Sequence, residues 1–102
     1  MENENKYNGW ENYETWNCKL WLDNDEYTQE LQTEWLKQAQ ETPKVEVWTK
    51  EETVRFTLAD IIKDYVEENT PEITASMYSD IMTCALQRIS YQEIADSIIG
   101  DN

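Results

Sequence analysis

Apolar residues recur along this chain at three- and four-residue steps, which is the spacing of a helix with one buried face. Short polar segments that contain cap residues, turn residues or proline interrupt the pattern. It predicts five helices joined by short connections. The predicted fold is therefore all-α, a compact bundle of about five helices in a single domain over residues 7–102. Residues 1–6 are polar and are predicted to be frayed.

The first third of the chain contains most of the large aromatic side chains. Residues 7–10 are predicted to form a turn, because asparagine and glycine at its centre both tolerate positive φ. Asn12 is the predicted N-cap of a helix from Tyr13 to about Asp23. One apolar face of this helix is predicted to lie in the core, and it comprises Tyr13, Trp16, Leu20 and Trp21.

A second helix is predicted over residues 26–41, capped by Asn24 or Asp25 and ended by Pro43. Residues 44–48 alternate apolar and polar positions, but a lone strand would have no partner, so an extended connector is predicted there. The apolar stripe of the second helix comprises Tyr27, Leu31, Trp35, Leu36 and Ala39.

A capping box at Thr49 and Glu52 predicts the longest helix, which extends to about Glu68. A capping box is a pair of residues, three apart, whose side chains each accept the backbone N–H of the other. The predicted buried stripe of this third helix comprises Val54, Leu58, Ile61, Ile62, Tyr65 and Val66.

Two further start signals predict the last two helices. Thr70 is the predicted N-cap of a fourth helix, with Pro71 at its first position, which extends to about Arg88. A capping box at Ser90 and Glu93 predicts a short fifth helix that ends at Gly100. The fourth helix is predicted to bury Ile73, Met77, Tyr78, Ile81, Met82, Ala85, Leu86 and Ile89, and the fifth to bury Ile94, Ala95, Ile98 and Ile99.

The net charge is larger than solubility requires. Twenty-two acidic and eight basic residues give a formal charge of −14, whereas a magnitude of about 2 to 8 suffices for a small domain. Residues 1–36 and residues 60–102 each carry −7, and residues 37–59 are neutral. Self-repulsion at this level lowers stability, so we expect the charge to serve binding.

The residue types present exclude most common catalytic and metal chemistry. The chain has no histidine, which excludes Ser-His-Asp catalysis and histidine-containing zinc sites. Asp23, Asp25 and Glu34 match three positions of a calcium-loop register, but Tyr27 and Thr28 stand where an oxygen ligand and a glycine are needed. We therefore predict no catalytic residue, no metal site and no cofactor. For the cluster Asp23, Asp25 and Glu26 a role in helix-end electrostatics and capping is predicted, and weak magnesium binding and partner contact are the alternatives.

Charge and hydropathy also restrict location and partners. No apolar run approaches the roughly 20 residues that a membrane span needs, and the N-terminus lacks the apolar centre of a signal peptide. A cytoplasmic location without membrane contact is therefore predicted, with Cys18 and Cys84 reduced and at least half-buried. Basic residues are few and scattered, so direct binding to nucleic acid is not expected.

Two blocks near the N-terminus resemble a family of small uncharacterised proteins from phages, plasmids and bacteria. The blocks are Asn-Tyr-Glu-Thr-Trp-Asn at 12–17 and Leu-Trp-Leu-Asp-Asn-Asp at 20–25. A weaker likeness continues through 58–60, 79–81 and 91–95. The resemblance implies a small helical protein of mobile elements. In size and charge the chain is also similar to the acidic inhibitors that phages use against restriction and CRISPR systems, many of which imitate nucleic acid.

These features lead to two hypotheses for function. The first is an inhibitor that binds the basic channel of a host nucleic-acid-binding defence enzyme. Its contacts are predicted to be one patch of Asp60, Asp64, Glu67, Glu68 and Glu72, and another of Asp23, Asp25, Glu26 and Glu30. The second is a protein-interaction module that binds through an aromatic or apolar surface, for which Trp48 and Phe56 are candidates. Surplus aromatic surface would also fit a homodimer.

Overall fold

The fold is all-α, as predicted. The structure, a computed structural model, describes residues 6–101, and this part of the chain contains five α-helices. They are α1 (Tyr13–Asp23), α2 (Glu26–Glu41), α3 (Lys50–Glu68), α4 (Met77–Gln87) and α5 (Tyr91–Gly100). The predicted bounds of α1, α2, α3 and α5 are confirmed. The segment 1–6, predicted to be frayed, lies outside the described residues except for Lys6.

Cap residues define the first residues of α1, α2 and α3, as the sequence predicts. Asn12 and Asp25 cap α1 and α2, each through a side-chain oxygen that accepts a backbone N–H of the first turn. Both halves of the capping box form at α3. The Glu52 N–H donates to Thr49 Oγ1 at 3.0 Å, and the Thr49 N–H donates to Glu52 Oε1 at 2.8 Å. Each bond satisfies a donor that a helix end leaves without a partner.

Only half of the predicted capping box forms at α5. Ser90 Oγ accepts the Glu93 N–H at 3.3 Å. The Glu93 carboxylate, however, accepts the backbone N–H of Glu11 at 2.9 Å. The Ser90 N–H donates instead to Thr15 Oγ1 in α1 at 2.8 Å. The two groups that would close the box therefore connect α5 to the N-terminal part of the chain.

The predicted start of α4 is wrong. Thr70 does not act as an N-cap, since residues 71–76 after it are not helical. Its hydroxyl instead donates to the carbonyl of Val66 in α3 at 2.7 Å. The cap is Ser76, and Ser76 and Ser79 form a reciprocal capping box. This pair satisfies two N–H groups at once. Residues 69–76 are therefore a non-helical connection between α3 and α4.

The buried core is formed by α1, α2, α3 and α5. The longest helix, α3, packs against both α2 and α5. The predicted buried stripes of α3 and α5 are confirmed: their central residues are buried and the flanking ones are half-buried against the core. The buried apolar residues are Leu22, Trp35, Leu36, Ala39, Leu58, Ala59, Ile62, Ile94, Ala95 and Ile98.

The predicted core face of α1 is wrong. Trp21 is 66% exposed, and Tyr13 and Leu20 are also exposed. The buried residues of α1 are Thr15, Lys19 and Leu22, so the helix packs through a mainly polar face. Burying polar groups is costly unless they are hydrogen-bonded, and the two polar side chains are bonded within the fold.

The predicted burial of α4 is also wrong. None of its residues is buried, and Met77, Tyr78 and Ile81 are exposed. Ala85 and Leu86 near its C-terminal end, and Ile89 just after it, are half-buried. In α2, Tyr27 is exposed, whereas Trp35, Leu36 and Ala39 are buried as predicted.

Two connections keep aromatic side chains on the body of the domain. Tyr7 and Trp10 exchange two backbone hydrogen bonds of 2.7 Å around Asn8 and Gly9, whose φ angles are 48° and 87°. This confirms the predicted turn, and the Tyr7 ring contacts the Trp16 ring at 4.9 Å between centroids.

The connector at 44–48 is a turn instead of an extended segment. Its Trp48 N–H donates to the Val45 carbonyl at 3.0 Å. The Val45 N–H donates to Thr53 Oγ1 of α3 at 3.2 Å, and the Trp48 ring packs edge-on against the Phe56 ring at 4.9 Å. These contacts to α3 hold the connector in its turned conformation.

Candidate functional site

The C-terminal half of α3 carries a set of exposed carboxylates. Asp60, Asp64, Glu67 and Glu68 are all exposed. Asp64 follows Asp60 by four residues and precedes Glu67 by three and Glu68 by four, and these spacings place two side chains about 5 to 6 Å apart. Within the described residues none of them forms an ion pair. The structure thus places four of the five residues of the first predicted patch on one rigid helix.

One positive charge interrupts this row. Lys63 follows Asp60 by three residues and precedes Glu67 by four, so it belongs to the same side of α3. It lines one surface cavity with Asp60 and another with Glu67 and Tyr91. Burial raises the pKa of the Tyr91 phenol to about 12, and the nearby charges of Cys18 and Glu67 act in the same direction. The region is acidic, but it is not a uniform array of negative charge.

The fifth residue of the first patch lies apart from the helix. Glu72 is exposed in the non-helical connection 69–76. Because α4 begins at Met77 and not near Pro71, this carboxylate is not held on the same rigid element as the other four. Its position relative to them is set by a connection and not by helical spacing.

In the second predicted patch, two of the four carboxylates have structural contacts. Asp23 accepts hydrogen bonds from the buried Lys19 ammonium, at 2.7 and 2.9 Å, and one from the Gln32 amide at 3.0 Å. Asp25 is the N-cap of α2, where its carboxylate accepts the Tyr27 N–H at 2.9 Å. Stabilisation of the fold accounts for both residues.

The other two residues of that patch are exposed. Glu26 and Glu30 lie one turn apart in the first half of α2. Glu26 lies in the first turn of the helix, where a negative charge interacts favourably with the helix dipole. They are the members of the second patch that can contact a partner without disturbing the fold.

The calcium-loop register does not form a loop. Glu34, its last position, lies in the middle of α2, and Asp25 already serves as the cap of the same helix. Among residues 6–101 there is no group of three or more cysteine and carboxylate side chains arranged to hold a metal ion.

An apolar groove lies between α1, the end of α3 and α4, and sequence analysis did not identify it. It has a volume of about 420 Å³. Tyr13, Asn17 and Trp21 form one wall at four-residue steps along α1. The remaining lining residues are Glu14, Cys18, Leu22, Tyr65, Val66, Asn69, Thr70, Pro71, Ala85, Leu86 and Ile89. The groove is open to solvent along its length and is lined mainly by apolar atoms.

The charge within the groove is low. Glu14 is its one charged lining residue, and its carboxylate lies 3.2 Å from Nε of Arg88. Cys18 contributes a thiol whose pKa is raised to about 11, mainly by burial and against the opposing effect of Lys19. A thiol with a raised pKa is a poor nucleophile at neutral pH, which favours a packing role for this cysteine. The other cysteine, Cys84, is exposed, and neither forms a disulfide.

The apolar stripe of α4 extends the groove. Met77 and Ile81 precede Ala85 at four-residue steps, and Tyr78 lies two turns before Leu86 on the same side of the helix. The N-terminal members are exposed and the C-terminal members line the groove. The sequence does indicate an exposed apolar surface here, because α1 and α4 carry more apolar residues than one helix face can bury.

The aromatic residues proposed from the sequence as contacts are half-buried. Trp48 and Phe56 pack against each other beside α3. The exposed aromatic side chains lie elsewhere: Tyr7 in the N-terminal turn, Tyr13 and Trp21 on α1, Tyr27 on α2 and Tyr78 on α4. Exposed aromatic surface is therefore concentrated away from the electrically neutral middle of the chain.

A known protein family matches this chain. The model of a family described as "Family of unknown function (DUF7249)" matches residues 3–98, which is nearly the whole chain. No curated protein and no solved structure matches the chain. None of the described helices combines the length and the apolar character that a membrane-spanning segment requires.

Proposed function

Since the chain belongs to DUF7249, a family of unknown function, we propose its role from the surface of this chain itself. It inhibits a nucleic-acid-binding defence protein of a host cell by occupying the basic channel of that protein. The proposal includes a phage or mobile-element origin, an anti-restriction or anti-CRISPR class of target, and action in the host cytoplasm. It assigns no catalytic step and no cofactor to the chain.

The observation that carries the proposal is the set of exposed carboxylates on α3. A 19-residue helix with a complete capping box is a rigid support, and its last three turns present Asp60, Asp64, Glu67 and Glu68 to solvent. Rigid charges lose little entropy when they bind, so they are suited to a site that has evolved for a stiff polyanion.

Electrostatics supplies the physical reason for inhibition. Proteins that bind DNA neutralise its closely spaced phosphates with arginine and lysine. Carboxylates about 5 to 6 Å apart on a helix can pair with several of those cations at once. A net charge of −14 also accelerates the encounter with a basic groove, and salt weakens that encounter.

Two charge-matched variants test this function. In the first, Asp64, Glu67 and Glu68 on α3 are replaced by lysine. In the control, Glu34, Glu41 and Glu46, which are exposed and outside both patches, are replaced by lysine. Each substitution changes the charge by two, so both variants carry −8. Tagged proteins are used to capture partners from a bacterial lysate, with elution by salt or by added DNA.

The proposal predicts that the original chain captures a nucleic-acid-binding protein, which salt and DNA both release. The α3 variant should lose that capture, whereas the control variant should keep most of it. Circular dichroism should stay helical for both. Equal loss in the two variants would mean that net charge, and not the α3 carboxylates, drives the contact, which would contradict the proposal.

A second candidate function is supported by the groove and the exposed aromatic residues. It is a protein-interaction module that binds through an apolar surface without imitating nucleic acid. Exposed apolar patches on a small domain commonly mark protein contacts, and Trp21 and Tyr78 are the residue types that dominate such contacts. Partner capture that resists salt and DNA but is lost in Trp21→Ser would favour this function over mimicry.

A further inference from the structure

We propose that the groove between α1, α3 and α4 is the docking site of an amphipathic helix whose apolar face is flanked by lysine or arginine. This inference deepens the second candidate function and rests on it, and it does not require nucleic-acid mimicry. Three features carry it: the form of the groove, the length of the apolar surface, and the charge around it.

The form of the groove suits a helix. Tyr13, Asn17 and Trp21 form one wall at four-residue steps, and residues at the C-terminal end of α4 form the opposite wall. Side chains on one face of a bound helix would also recur at steps of three or four residues. They would therefore fit into the gaps between the side chains of the two helical walls. The end of α3, at Tyr65 and Val66, closes the floor.

The length of the apolar surface exceeds that of a pocket for a small molecule. Beyond the lined volume of about 420 Å³, the exposed side chains of Met77, Tyr78 and Ile81 continue the surface along α4. A helix of 11 residues, such as α1 or α4, is about 16 Å long at 1.5 Å per residue. An apolar strip of that length fits three or four anchors of a partner helix.

The charge around the groove selects the partner. The lining itself has one carboxylate, Glu14, which pairs with Arg88. Several exposed residues that adjoin the lining in sequence are acidic: Asp64, Glu67 and Glu68 are close to Tyr65 and Val66, and Glu72 follows Pro71. The two basic residues that adjoin it are already paired, Arg88 with Glu14 and Lys19 with Asp23. A partner with an apolar face and basic edges would therefore satisfy both surfaces.

The same charge disfavours a second copy of this chain as the occupant. Each copy carries −14, so two copies that approach through this face repel each other through the carboxylates that adjoin it. A basic helix reduces that repulsion when it binds. The docking partner is accordingly a different chain.

The test uses the full chain and three synthetic 18-residue peptides, with isothermal titration calorimetry as the measurement. The first peptide has leucine at the positions of one helix face and lysine elsewhere. The second has the same composition in an order without helical periodicity. The third replaces every lysine by glutamate. The first is expected to bind at least about tenfold more tightly than either of the others.

Three variants locate the binding site. Trp21 and Tyr78 are exposed, and so is Tyr27, which lies outside the groove; serine at any of these positions should leave the fold intact. Trp21→Ser and Tyr78→Ser are expected to weaken binding of the first peptide about tenfold. Tyr27→Ser is the matched control and is expected to change it less than twofold.

Several outcomes would overturn the proposal. Equal binding of the scrambled peptide would mean that charge alone attracts it, and equal binding of the glutamate peptide would remove the requirement for a basic helix. A dimer in sedimentation experiments that Trp21→Ser converts to a monomer would identify a second copy as the occupant. In a further outcome no peptide binds, but a partner is captured from lysate, its capture resists salt, and Trp21→Ser abolishes it. That result would support the second candidate function and would show that the proposal of a basic helix is wrong.

Discussion

The Ser90 N–H, at the N-cap of α5, donates a hydrogen bond of 2.8 Å to Thr15 Oγ1 in the first turn of α1. The same hydroxyl donates to Asn12 Oδ1 at 2.7 Å, and the Asn12 amide donates to the Arg88 carbonyl at 2.8 Å. The buried Thr15 side chain therefore connects the cap of α1 to the cap residue of α5, Ser90, from which it is 75 residues apart in the sequence.

Replacing Thr15 by valine should destabilise the protein although it conserves shape. The variant leaves the Ser90 N–H without its acceptor, and an unsatisfied buried donor costs about 1 to 3 kcal/mol. Urea denaturation followed by circular dichroism measures the loss. Thr33→Val, at an exposed position of α2, is the control and should change the free energy of unfolding by less than about 0.5 kcal/mol. Equal effects in the two variants would contradict the connecting role.

Removal of the Asp23 carboxylate should destabilise the fold more than removal of another carboxylate. Lys19 is buried, and its ammonium has Asp23 and Gln32 as partners. Asp23→Ala leaves that ammonium short of acceptors, and because the aspartate is itself about half exposed, we expect a loss of about 1 to 2 kcal/mol.

Glu30→Ala is the matched control for this prediction, since Glu30 is exposed in α2 and the variant has the same net charge. Urea denaturation of both variants provides the comparison, and similar stabilities would show that the pair with Lys19 contributes little. If the prediction holds, binding tests of the second acidic patch should use Glu26 and Glu30, because variants of Asp23 would confuse loss of contact with loss of fold.

Stability should fall as the pH rises from 9 to 11. Burial raises the pKa of Cys18 from 9.0 to about 11, so the unfolded chain releases this proton at lower pH than the folded one. The contribution of the neutral Cys18 thiol to the free energy of unfolding is fully present below pH 9. It is lost progressively between pH 9 and pH 11, by no more than about 1.4 kcal/mol per pH unit. The raised pKa of Tyr91 continues the same trend above pH 10.

Two cysteine variants test the pH dependence, which is measured by urea denaturation at pH 8, 9 and 10. Cys18→Ala should flatten the decrease between pH 9 and 10. Cys84→Ala, at an exposed cysteine, should leave it unchanged. A decrease that persists in full in Cys18→Ala would assign it to other groups.

Gly9 should be the less replaceable of the two glycines. Its φ angle is +87°, and a Cβ atom there would meet no neighbour within 4 Å. The penalty for Gly9→Ala is therefore one of backbone conformation, about 1 kcal/mol. Gly100 is the last residue of α5, also with open space around a Cβ, so Gly100→Ala should be neutral or slightly stabilising. Thermal denaturation distinguishes the two, and equal melting temperatures would contradict the strained turn.

The helices and most of their ends follow from the sequence because the signals are local. A cap residue acts on an N–H group two or three positions away, so Asn12 and Thr49 could be recognised without knowledge of the fold, and the cap of α2 could be restricted to Asn24 or Asp25. The stripes of α3 and α5 were equally predictable, because each has one apolar face. The acidic character of the surface required only the composition.

Tertiary structure decided what local signals left ambiguous. Thr70 and Ser76 both precede a possible helix; in the fold Thr70 closes the end of α3, and α4 begins after Ser76, which forms a reciprocal capping box with Ser79. In α1 apolar residues occupy more than one face. The buried face is the one on which Thr15 and Lys19 find partners in distant parts of the chain. That choice leaves Trp21 exposed and, together with the late start of α4, creates the apolar groove. Burial depends on contacts between residues far apart in sequence, and periodicity within one helix does not contain that information.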